Sequence, residues 1–292
     1  MRDFTIDNLT EIVLEEYGSG AKDPRYKQVI TSLIRHLHAF VKDVELTEEE
    51  WFKAIMFLTR TGQTCDDKRQ EFILLSDTLG VSMLVDAINH PKSGKGTEST
   101  VLGPFYVKGA PEYENGASII KQQYAGEVAL VQGKVTDPDG APIAGAKLDV
   151  WQTAANGYYD VQDPTMPEDN MRGVFTTDAE GSYAFVTEKP LSYSIPTDGP
   201  VGDLLRASDR HGMRPAHIHF IVSADGYESL TTHVFSDGDE YLDSDAVFAT
   251  KSSLIGQYTK SEDADLAARY NLSVPFSHLQ FDMGLMPSTL SS

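Results

Sequence analysis

Two histidines stand two residues apart in the stretch RPAHIHF at 214–220, in a chain that contains eight histidines. If this stretch forms a β-strand, His217 and His219 project from the same face, because side chains alternate along a strand. Two imidazoles side by side can bind one metal ion, since neutral imidazole is a common metal ligand. A solvated strand face that carries two polar residues is the alternative. The pair predicts a metal site only if the chain supplies further ligands.

Tyrosine is the informative candidate for those ligands, because Cys65 is the only cysteine and carboxylates are too common to be diagnostic. Tyr158 and Tyr159 lie in NGYYD, and Tyr193 lies in PLSYSIPTDGP. A phenol has a pKa of about 10, so it binds a metal only when the ion is acidic enough to remove its proton. Ferric iron does this, whereas zinc sites normally use cysteine, histidine and carboxylate. A half-buried aromatic at a strand end is the alternative interpretation of each tyrosine.

The second part of the chain has the period-two hydrophobicity of β-strands, which places the candidate ligands on or beside strands. Residues 127–153 read as two strands around the turn DPDG, and residues 171–188 repeat the pattern around DAEG. Residues 216–235 give a third pair, with ADG in the bend. Short strands at this spacing, without intervening helices, predict a β-sandwich or barrel.

The first ninety residues repeat apolar side chains at helical spacing. The longest such stripe consists of Val29, Leu33, Leu37 and Phe40. Thr47 followed by Glu50 is a capping-box pattern, typical of a helix start. The turn-forming segment at 90–100 ends the helical part. We therefore predict a mainly β chain, with an α-helical N-terminal region over residues 1–96 and an antiparallel β-sandwich domain over residues 97–292.

The charge balance limits the partners of this chain. It has 24 Lys+Arg against 44 Asp+Glu, a net charge of -20, which repels phosphate backbones and anionic lipid, so nucleic acid and membrane surfaces are not expected partners. No apolar run is long enough to span a bilayer, and the acidic N-terminal stretch lacks the pattern of a signal peptide. A single cysteine excludes an intramolecular disulfide. These features predict a cytoplasmic protein.

Three motifs together resemble those of the intradiol ring-cleaving dioxygenases: GYY at 157–159, SYSIPTDGP at 192–200 and RHGMRPAHIHFIVSADG at 210–226. The resemblance extends to the helical region and to the stretch at 97–119, so it covers nearly the whole chain. It implies that the sandwich is a catalytic domain with one non-haem ferric ion per subunit. The implied substrates are a small aromatic diol and O₂.

Matched residue by residue, the resemblance implies that the ferric ion is held by Tyr159, Tyr193, His217 and His219. In the family the axial tyrosinate leaves the metal and accepts a substrate proton, a role implied here for Tyr193. Arg214 is the implied stabiliser of negative charge on the substrate, because a guanidinium stays charged in any pocket. A purely structural salt bridge is the alternative for Arg214.

Several residues favour hydroxyquinol (1,2,4-trihydroxybenzene) over catechol or a chlorocatechol as the diol. The stretch ESTVLGPF at 98–105 looks like the hydroxyquinol branch, and His233 stands where the catechol branch usually has Gln. Asp77 could accept a hydrogen bond from the third hydroxyl, which catechol lacks; capping or solvating a helix is its alternative role. The resemblance implies a substrate pocket formed by Leu74, Asp77, Val101, Leu102, Gly103, Pro104, Phe105, Ile195, Pro196, Arg214, His233 and Val247.

The resemblance also implies a homodimer through the N-terminal helices, with a phospholipid at that interface in some members. The apolar stripes fit a dimer and equally fit packing on the sandwich. Two other classes compete with the dioxygenase hypothesis. One is a non-catalytic transthyretin-like or carbohydrate-binding sandwich, and the other is a zinc hydrolase, for which no HExxH motif is present. Of these three classes, only the dioxygenase would be coloured, because only it would have phenolate-to-iron charge transfer.

Overall fold

The computed structural model describes residues 3–67, 69–91 and 94–288. The chain divides into two units, Met1–Arg60 and Thr61–Ser292. The functional boundary between residues 96 and 97 stays a prediction. Among the residues described, no helix combines the length and the apolar character needed to cross a membrane.

Helices dominate the first part of the chain, as the apolar spacing predicts. Helices α1 to α5 span Leu9–Gly20, Pro24–Asp43, Glu48–Thr64, Glu71–Thr78 and Val81–Asn89. The capping box at the start of α3 is confirmed, since the Thr47 N–H donates to Glu50 Oε2 at 3.0 Å and the Glu50 N–H donates to Thr47 Oγ1 at 3.3 Å. Each residue thus satisfies a backbone donor of the other, which stabilises the first turn.

The apolar stripe of α2 is not buried in the single chain. Its four side chains are between 49% and 53% exposed: Val29, Leu33, Leu37 and Phe40. Ile34, on a different face of the same helix, is buried. The stripe is therefore an exposed apolar surface along α2.

Twelve strands and two further helices are described in the rest of the chain. In chain order the strands β1 to β12 are Val128–Thr136, Lys147–Trp151, Arg172–Thr176, Ser182–Glu188, Tyr193–Ser194, Met213–Arg214, His217–Ser223, Leu230–Ser236, Ile255–Gly256, Tyr258–Ser261, Phe276–Gln280 and Met283–Gly284. Helix α6 is Pro200–Ala207 and helix α7 is Ala264–Arg269. A short 3-10 turn, Ser252–Leu254, precedes β9.

The predicted sandwich is confirmed. One sheet has the order β10-β11-β1-β12, with β4 also paired to β1, and the other has the order β3-β2-β7-β8-β9. Side chains of both sheets meet in one core, which includes Val131, Phe185, Leu148, Phe175 and Phe220, all fully buried. This burial of apolar surface is the main stabilising contribution to the fold.

The two sheets differ on their outer faces. A smaller apolar cluster, which includes Leu130 and Ala267 of α7, covers the outer face of the first sheet. An aromatic cluster of Trp151, Tyr159 and Tyr193 lies at the second sheet, with Phe105 packed against it. The candidate ligands therefore lie at the second sheet, on the side away from the main core: the histidines belong to it, whereas Tyr159 is on a loop and Tyr193 is on the separate β5–β6 pair.

Two of the three predicted strand pairs do not form hairpins. β1 and β2, around DPDG, lie in different sheets, and so do β3 and β4, around DAEG. β7 and β8 pair directly, from His217↔Phe235 to Val222↔Leu230. A turn that carries the chain between sheets has the same local sequence pattern as a hairpin turn, so alternation alone cannot separate them. The pairings β1–β11, β1–β12 and β8–β9 are parallel, which makes the mostly antiparallel sandwich mixed.

Candidate metal centre

Strand β7 presents both histidines to the outer face of the second sheet. Ile218 and Phe220 are fully buried in the core between the sheets, so His217 and His219 point the other way. His219 lies opposite Trp151 on β2 and opposite His233 on β8. Both ligand candidates are 2% exposed. The same-face placement expected from the H-x-H spacing is present, and it is buried rather than solvated.

The two predicted tyrosines reach this face from separate segments. Tyr159 lies in the loop after β2 and is 1% exposed, whereas its neighbour Tyr158 is 53% exposed. The Tyr159 N–H donates to Gln162 Oε1 at 3.0 Å, which fixes the loop. Tyr193 begins β5 and pairs with Arg214 of β6. The structure thus brings Tyr159, and not Tyr158, to the histidines.

Four donor atoms converge at this point. The Tyr159 Oη lies 2.9 Å from His219 Nε2 and 3.3 Å from Tyr193 Oη. The His217 Nε2 lies 3.2 Å from His219 Nε2. Ligands at about 2 Å from one metal ion lie about 3 Å from each other. The two phenol oxygens and two imidazole nitrogens therefore have the spacing of ligands to a single ion.

A third histidine lies beside the pair. His217, His219 and His233 each offer one ligand atom within 4.8 Å of the others, so this buried group could hold a metal. However, the His233 Nε2 lies 2.7 Å from His219 Nδ1, the ring nitrogen that faces away from Tyr159. The contact of His233 with the substrate stays a prediction, while its hydrogen bond to a candidate ligand was not expected from the sequence.

The two candidate histidine ligands are neutral. Burial, together with the charge of Arg214, lowers the pKa of His217 to about 3. Burial and then the neighbouring His217 lower the pKa of His219 well below its ordinary value. The His217 Nδ1–H donates to the Pro215 carbonyl at 2.7 Å, which leaves a lone pair on Nε2. Neutral imidazole is the form that binds a metal.

The phenol of Tyr159 limits which metal fits. Its burial, followed by the nearby Tyr193, raises the pKa of Tyr159 well above its ordinary value, against the smaller opposing effects of Arg214 and Arg172. A phenolate forms here only if the ion is a strong enough acid to displace this proton. Hard phenolate oxygens with two imidazoles suit a trivalent iron ion better than zinc.

Arg214 supplies a permanent positive charge beside these donors. It is 3% exposed, and its Nε–H and Nη2–H donate to the Asp245 carboxylate at 3.1 and 3.4 Å. Its Nη1–H donates to His217 Nε2 at 3.2 Å. Burial opposes the charge, but Asp245, together with Tyr193 and Tyr159, outweighs burial and raises the pKa of Arg214. Arg214 therefore has a salt bridge and also faces the candidate metal site.

Asp245 is a site residue that sequence reasoning missed, because nothing distinguishes it among 44 acidic residues. Its carboxylate accepts hydrogen bonds from the backbone N–H groups of Val247 and Ala249 at 3.2 and 3.0 Å. Burial raises the pKa of Asp245, but Arg214, together with the Val247 N–H and His217, outweighs burial, and the net pKa is lowered. A loop carboxylate thus holds the guanidinium in place.

Aromatic packing fixes the rings of two candidate ligands. The Trp151 ring stacks on the His219 ring with centroids 4.6 Å apart and planes at 12°. Gly103 has φ +78°, and a Cβ there would lie 3.2 Å from His219 Cε1, so a side chain would crowd the imidazole. The Phe105 ring stacks on Tyr159 with centroids 4.7 Å apart. Trp151 was also missed, although it lies in a motif of the sequence.

A cavity of about 510 Å³ lies next to this cluster. Its wall includes four residues of the predicted substrate pocket: Leu74, Pro104, Phe105 and Pro196. Because Phe105 also stacks on Tyr159, the cavity borders the candidate ligands. Its size suits a small aromatic molecule.

The other predicted pocket residues are distributed over several loops. Val101 and Leu102 lie in the loop that follows α5, where Leu102 is 41% exposed. Ile195 directly follows β5 and is buried. Val247 is buried and donates its N–H to Asp245. The contact of these residues with a substrate stays a prediction.

Asp77 is a buried carboxyl on α4. It is 3% exposed, and burial raises its pKa against a hydrogen bond from Ser82 and the charge of Arg214. The nearby Asp245 acts in the same direction as burial. Asp77 is therefore an interior group close to the Arg214 pair, and not a solvated helix residue.

Comparisons with known proteins agree with this geometry. The family model described as "Catechol dioxygenase N terminus" matches residues 23–97, and the one described as "Dioxygenase" matches residues 101–287. The chain is 54% identical to a hydroxyquinol 1,2-dioxygenase of Rhizobium sp. (strain MTP-10005), over 84% of this chain and 83% of the relative. The crystal structure of a hydroxyquinol 1,2-dioxygenase from Pseudomonas putida DLL-E4 superposes with a TM-score of 0.91 at 48% identity, covering 97% and 99% of the two chains. The crystal structure of a catechol 1,2-dioxygenase from Acinetobacter radioresistens superposes with a TM-score of 0.85 at 32% identity, covering 99% of this chain and 96% of that chain.

The Arg214–Asp245 pair predicts a large effect of one substitution. Asp245→Asn keeps the shape of the side chain but leaves the Arg214 charge buried without a counter-ion. We expect the free energy of unfolding at neutral pH to fall by about 3–5 kcal/mol, measured by urea unfolding. The control Asp198→Asn removes an exposed carboxylate from Arg69 and should cost less than about 1 kcal/mol. Equal losses in both variants would contradict the assignment.

The same pair gives a pH dependence with a defined sign. The pKa of Asp245 lies below its ordinary value of 3.8 in the folded protein, so the unfolded chain binds more protons between the two pKa values. The stabilisation is complete above about pH 4 and is lost as the pH falls through the lower folded-state pKa. Asp245→Asn should lack this part of the acid sensitivity in a series of unfolding curves.

Proposed function

The chain belongs to the intradiol ring-cleavage dioxygenases, and we propose from this that it opens hydroxyquinol with O₂ to give maleylacetate. The ring bond between the two adjacent hydroxylated carbons breaks, and both oxygen atoms enter the product. The relatives named for hydroxyquinol are more similar to this chain than the one named for catechol, which supports the choice of diol. Catechol or a chlorocatechol is the alternative substrate.

One observation carries this proposal: two buried phenols and two neutral imidazoles converge, and each donor atom lies within 3.3 Å of at least one other. A non-catalytic sandwich has no use for such a set, and a zinc hydrolase would not use two phenols. Tyr159, Tyr193, His217 and His219 are the residues that would hold one ferric ion per subunit. When bound, ferric iron supplies the acidity that deprotonates its oxygen ligands and the electron-accepting capacity that makes a diol reactive toward O₂.

Tyr193 is the residue we assign to proton transfer. A diol must lose both hydroxyl protons to bind as a dianion, and its second proton needs a base within reach. Tyr193 Oη lies 3.3 Å from Tyr159 Oη, and Tyr193 belongs to a strand of only two residues. Tyr159 is instead tied to His219 and stacked by Phe105. The geometry favours Tyr193 as the phenol that receives the proton.

Arg214 is the residue we assign to charge stabilisation. Asp245 orients its guanidinium through two N–H groups, and the third faces His217. Negative charge that develops on the ring oxygens would meet a cation that is already in position, so little reorganisation is needed. A cavity bordered by Leu74, Phe105 and Pro196 would hold the ring.

Three tyrosine variants test the ligand and base assignments. Tyr159→Phe removes a ligand, and we expect loss of both bound iron and the charge-transfer colour. Tyr193→Phe should retain part of the iron while turnover falls by about 10²–10⁴-fold, the usual contribution of a general base. The exposed neighbour provides a matched control, because Tyr158→Phe should change neither property. Iron content, visible absorbance and oxygen uptake measure these effects; full activity of Tyr193→Phe would refute the base assignment.

Asp77 tests the choice of substrate. Its buried carboxyl would pair with the third hydroxyl of hydroxyquinol, and catechol would leave it without that partner. Asp77→Ala should therefore lower the ratio of kcat/KM for hydroxyquinol over catechol by about tenfold or more. Asp225→Ala removes an exposed carboxylate that does not line the cavity and should leave the ratio unchanged. An unchanged ratio in Asp77→Ala would remove Asp77 from substrate selection.

We also infer that the chain forms a homodimer through its N-terminal helices. The support is the α2 stripe, whose side chains stay half exposed in the single chain: Val29, Leu33, Leu37 and Phe40. An apolar surface of this kind is typical of a protein interface. A phospholipid at that interface stays a prediction.

Light scattering tests the dimer. The wild-type protein should have twice the 32.1 kDa mass of one chain, and the double variant Leu33→Glu, Leu37→Glu should have the mass of one chain, because it buries charges at the interface. Arg35→Glu changes an exposed residue off the stripe and should remain dimeric. A dimer that survives the double substitution would move the interface elsewhere.

A further inference from the structure

His233 is a fully buried histidine that faces a candidate metal ligand. It lies on β8 directly opposite His219 of β7 and is 0% exposed. Its Nε2 is 2.7 Å from His219 Nδ1, and the two rings meet edge to face at 4.2 Å. Its Nδ1 has no hydrogen-bond partner among the described residues. The hydrogen bond of the His233 side chain is therefore with His219 Nδ1, the ring nitrogen that faces away from Tyr159.

The two candidate histidine ligands differ in the hydrogen-bond partner of their Nδ1 atoms. For His217 the partner is the Pro215 carbonyl at 2.7 Å, which can only accept, so the proton must be on Nδ1. For His219 the partner is an imidazole nitrogen, which can either accept or donate. The backbone thus selects the tautomer of His217, whereas a side chain selects the tautomer of His219.

Only one arrangement of the His219–His233 pair allows a metal to bind. If the His233 Nε2–H donates, the proton of His219 is on Nε2, between Tyr159 and His217, and occupies the ligand position. If the His219 Nδ1–H donates, the His219 Nε2 lone pair faces Tyr159 Oη at 2.9 Å. In that arrangement His233 carries its own proton on Nδ1, where no described residue accepts it.

We propose that His233 is a positioning residue that accepts the Nδ1–H of His219 and so directs the His219 Nε2 lone pair to the metal. Metal-bound histidines usually donate their second N–H to an acceptor that fixes tautomer and ring orientation. Trp151 stacked on one face of His219 and Gly103 close to its edge restrain the ring as well. His233 acts through His219 and does not contact the diol. This inference rests on the proposed function of the site.

Metal affinity tests the proposal with matched variants. His233→Leu removes the acceptor, and His233→Gln retains one in its side-chain carbonyl. Thr232→Val is the control, because Thr232 is the neighbour of His233 on β8 and its side chain points to the opposite face. The substitution removes the hydrogen bond from Thr232 Oγ1 to Glu98 O. We expect His233→Leu to bind Fe³⁺ and Zn²⁺ about 10–100-fold more weakly in equilibrium dialysis, with His233→Gln and Thr232→Val close to wild type. Wild-type affinity in His233→Leu would overturn the proposal.

A kinetic measurement separates positioning from substrate contact. With iron at saturating concentration, His233→Leu should keep the wild-type KM for hydroxyquinol. A raised KM in the fully loaded variant would show contact with the diol and would overturn the proposal. If the wild-type protein itself binds no iron, the proposed function fails; if wild type binds iron and turns over while His233→Leu matches it, only this inference fails.

Nitrogen NMR of histidine-labelled wild-type protein gives a test that does not depend on the folding of a variant. In the zinc-loaded protein, with zinc as a diamagnetic probe, His219 should be protonated on Nδ1 and His233 on Nδ1. Protonation of His219 on Nε2, or a metal-bound His233 Nε2, would overturn the proposal.

Discussion

The site depends on the register of a single strand. β7 has core residues and site residues in alternation, and Ile218 and Phe220 are locked between the two sheets. That burial directs His217 and His219 to the outer face. A slip of one residue would exchange the two sets, moving imidazoles into the core and apolar side chains into the site. The same apolar contacts that stabilise the sandwich therefore also hold the two imidazoles in position.

Burial then determines the charge state of the site. Removed from water, the imidazoles stay neutral and the phenol of Tyr159 stays protonated, because the charged forms lose solvation. Arg214 keeps its charge, and the buried carboxylate of Asp245 compensates it. The result is a set of neutral donors next to one compensated cation. Such a set favours a metal ion of high charge, because only a strongly acidic ion can displace the phenol protons in this buried site.

The four candidate ligands arrive from three segments of the chain, and each segment has its own structural support. The row Trp151, His219 and His233 crosses three neighbouring strands, so these rings contact one another through the sheet ladder. Tyr159 comes from a loop fixed by Gln162, and Tyr193 from the short β5–β6 pair. The two histidines lie on a seven-residue strand inside a five-stranded sheet, whereas Tyr193 lies on a strand of two residues in a separate two-stranded sheet.

Much of this could be predicted from the sequence, because it depends on local periodicity. Alternation placed His217 and His219 on one face, the apolar spacing indicated the helices, and the motifs around Tyr159 and Tyr193 marked the residues that meet them. Tertiary structure alone decided the rest. DPDG and DAEG connect different sheets, Asp245 pairs with Arg214 across 31 positions, and His233 bonds to His219 because β8 lies beside β7. Contacts of this kind depend on which strands become neighbours, and hydrophobic alternation along one strand has no information about the identity of its neighbour.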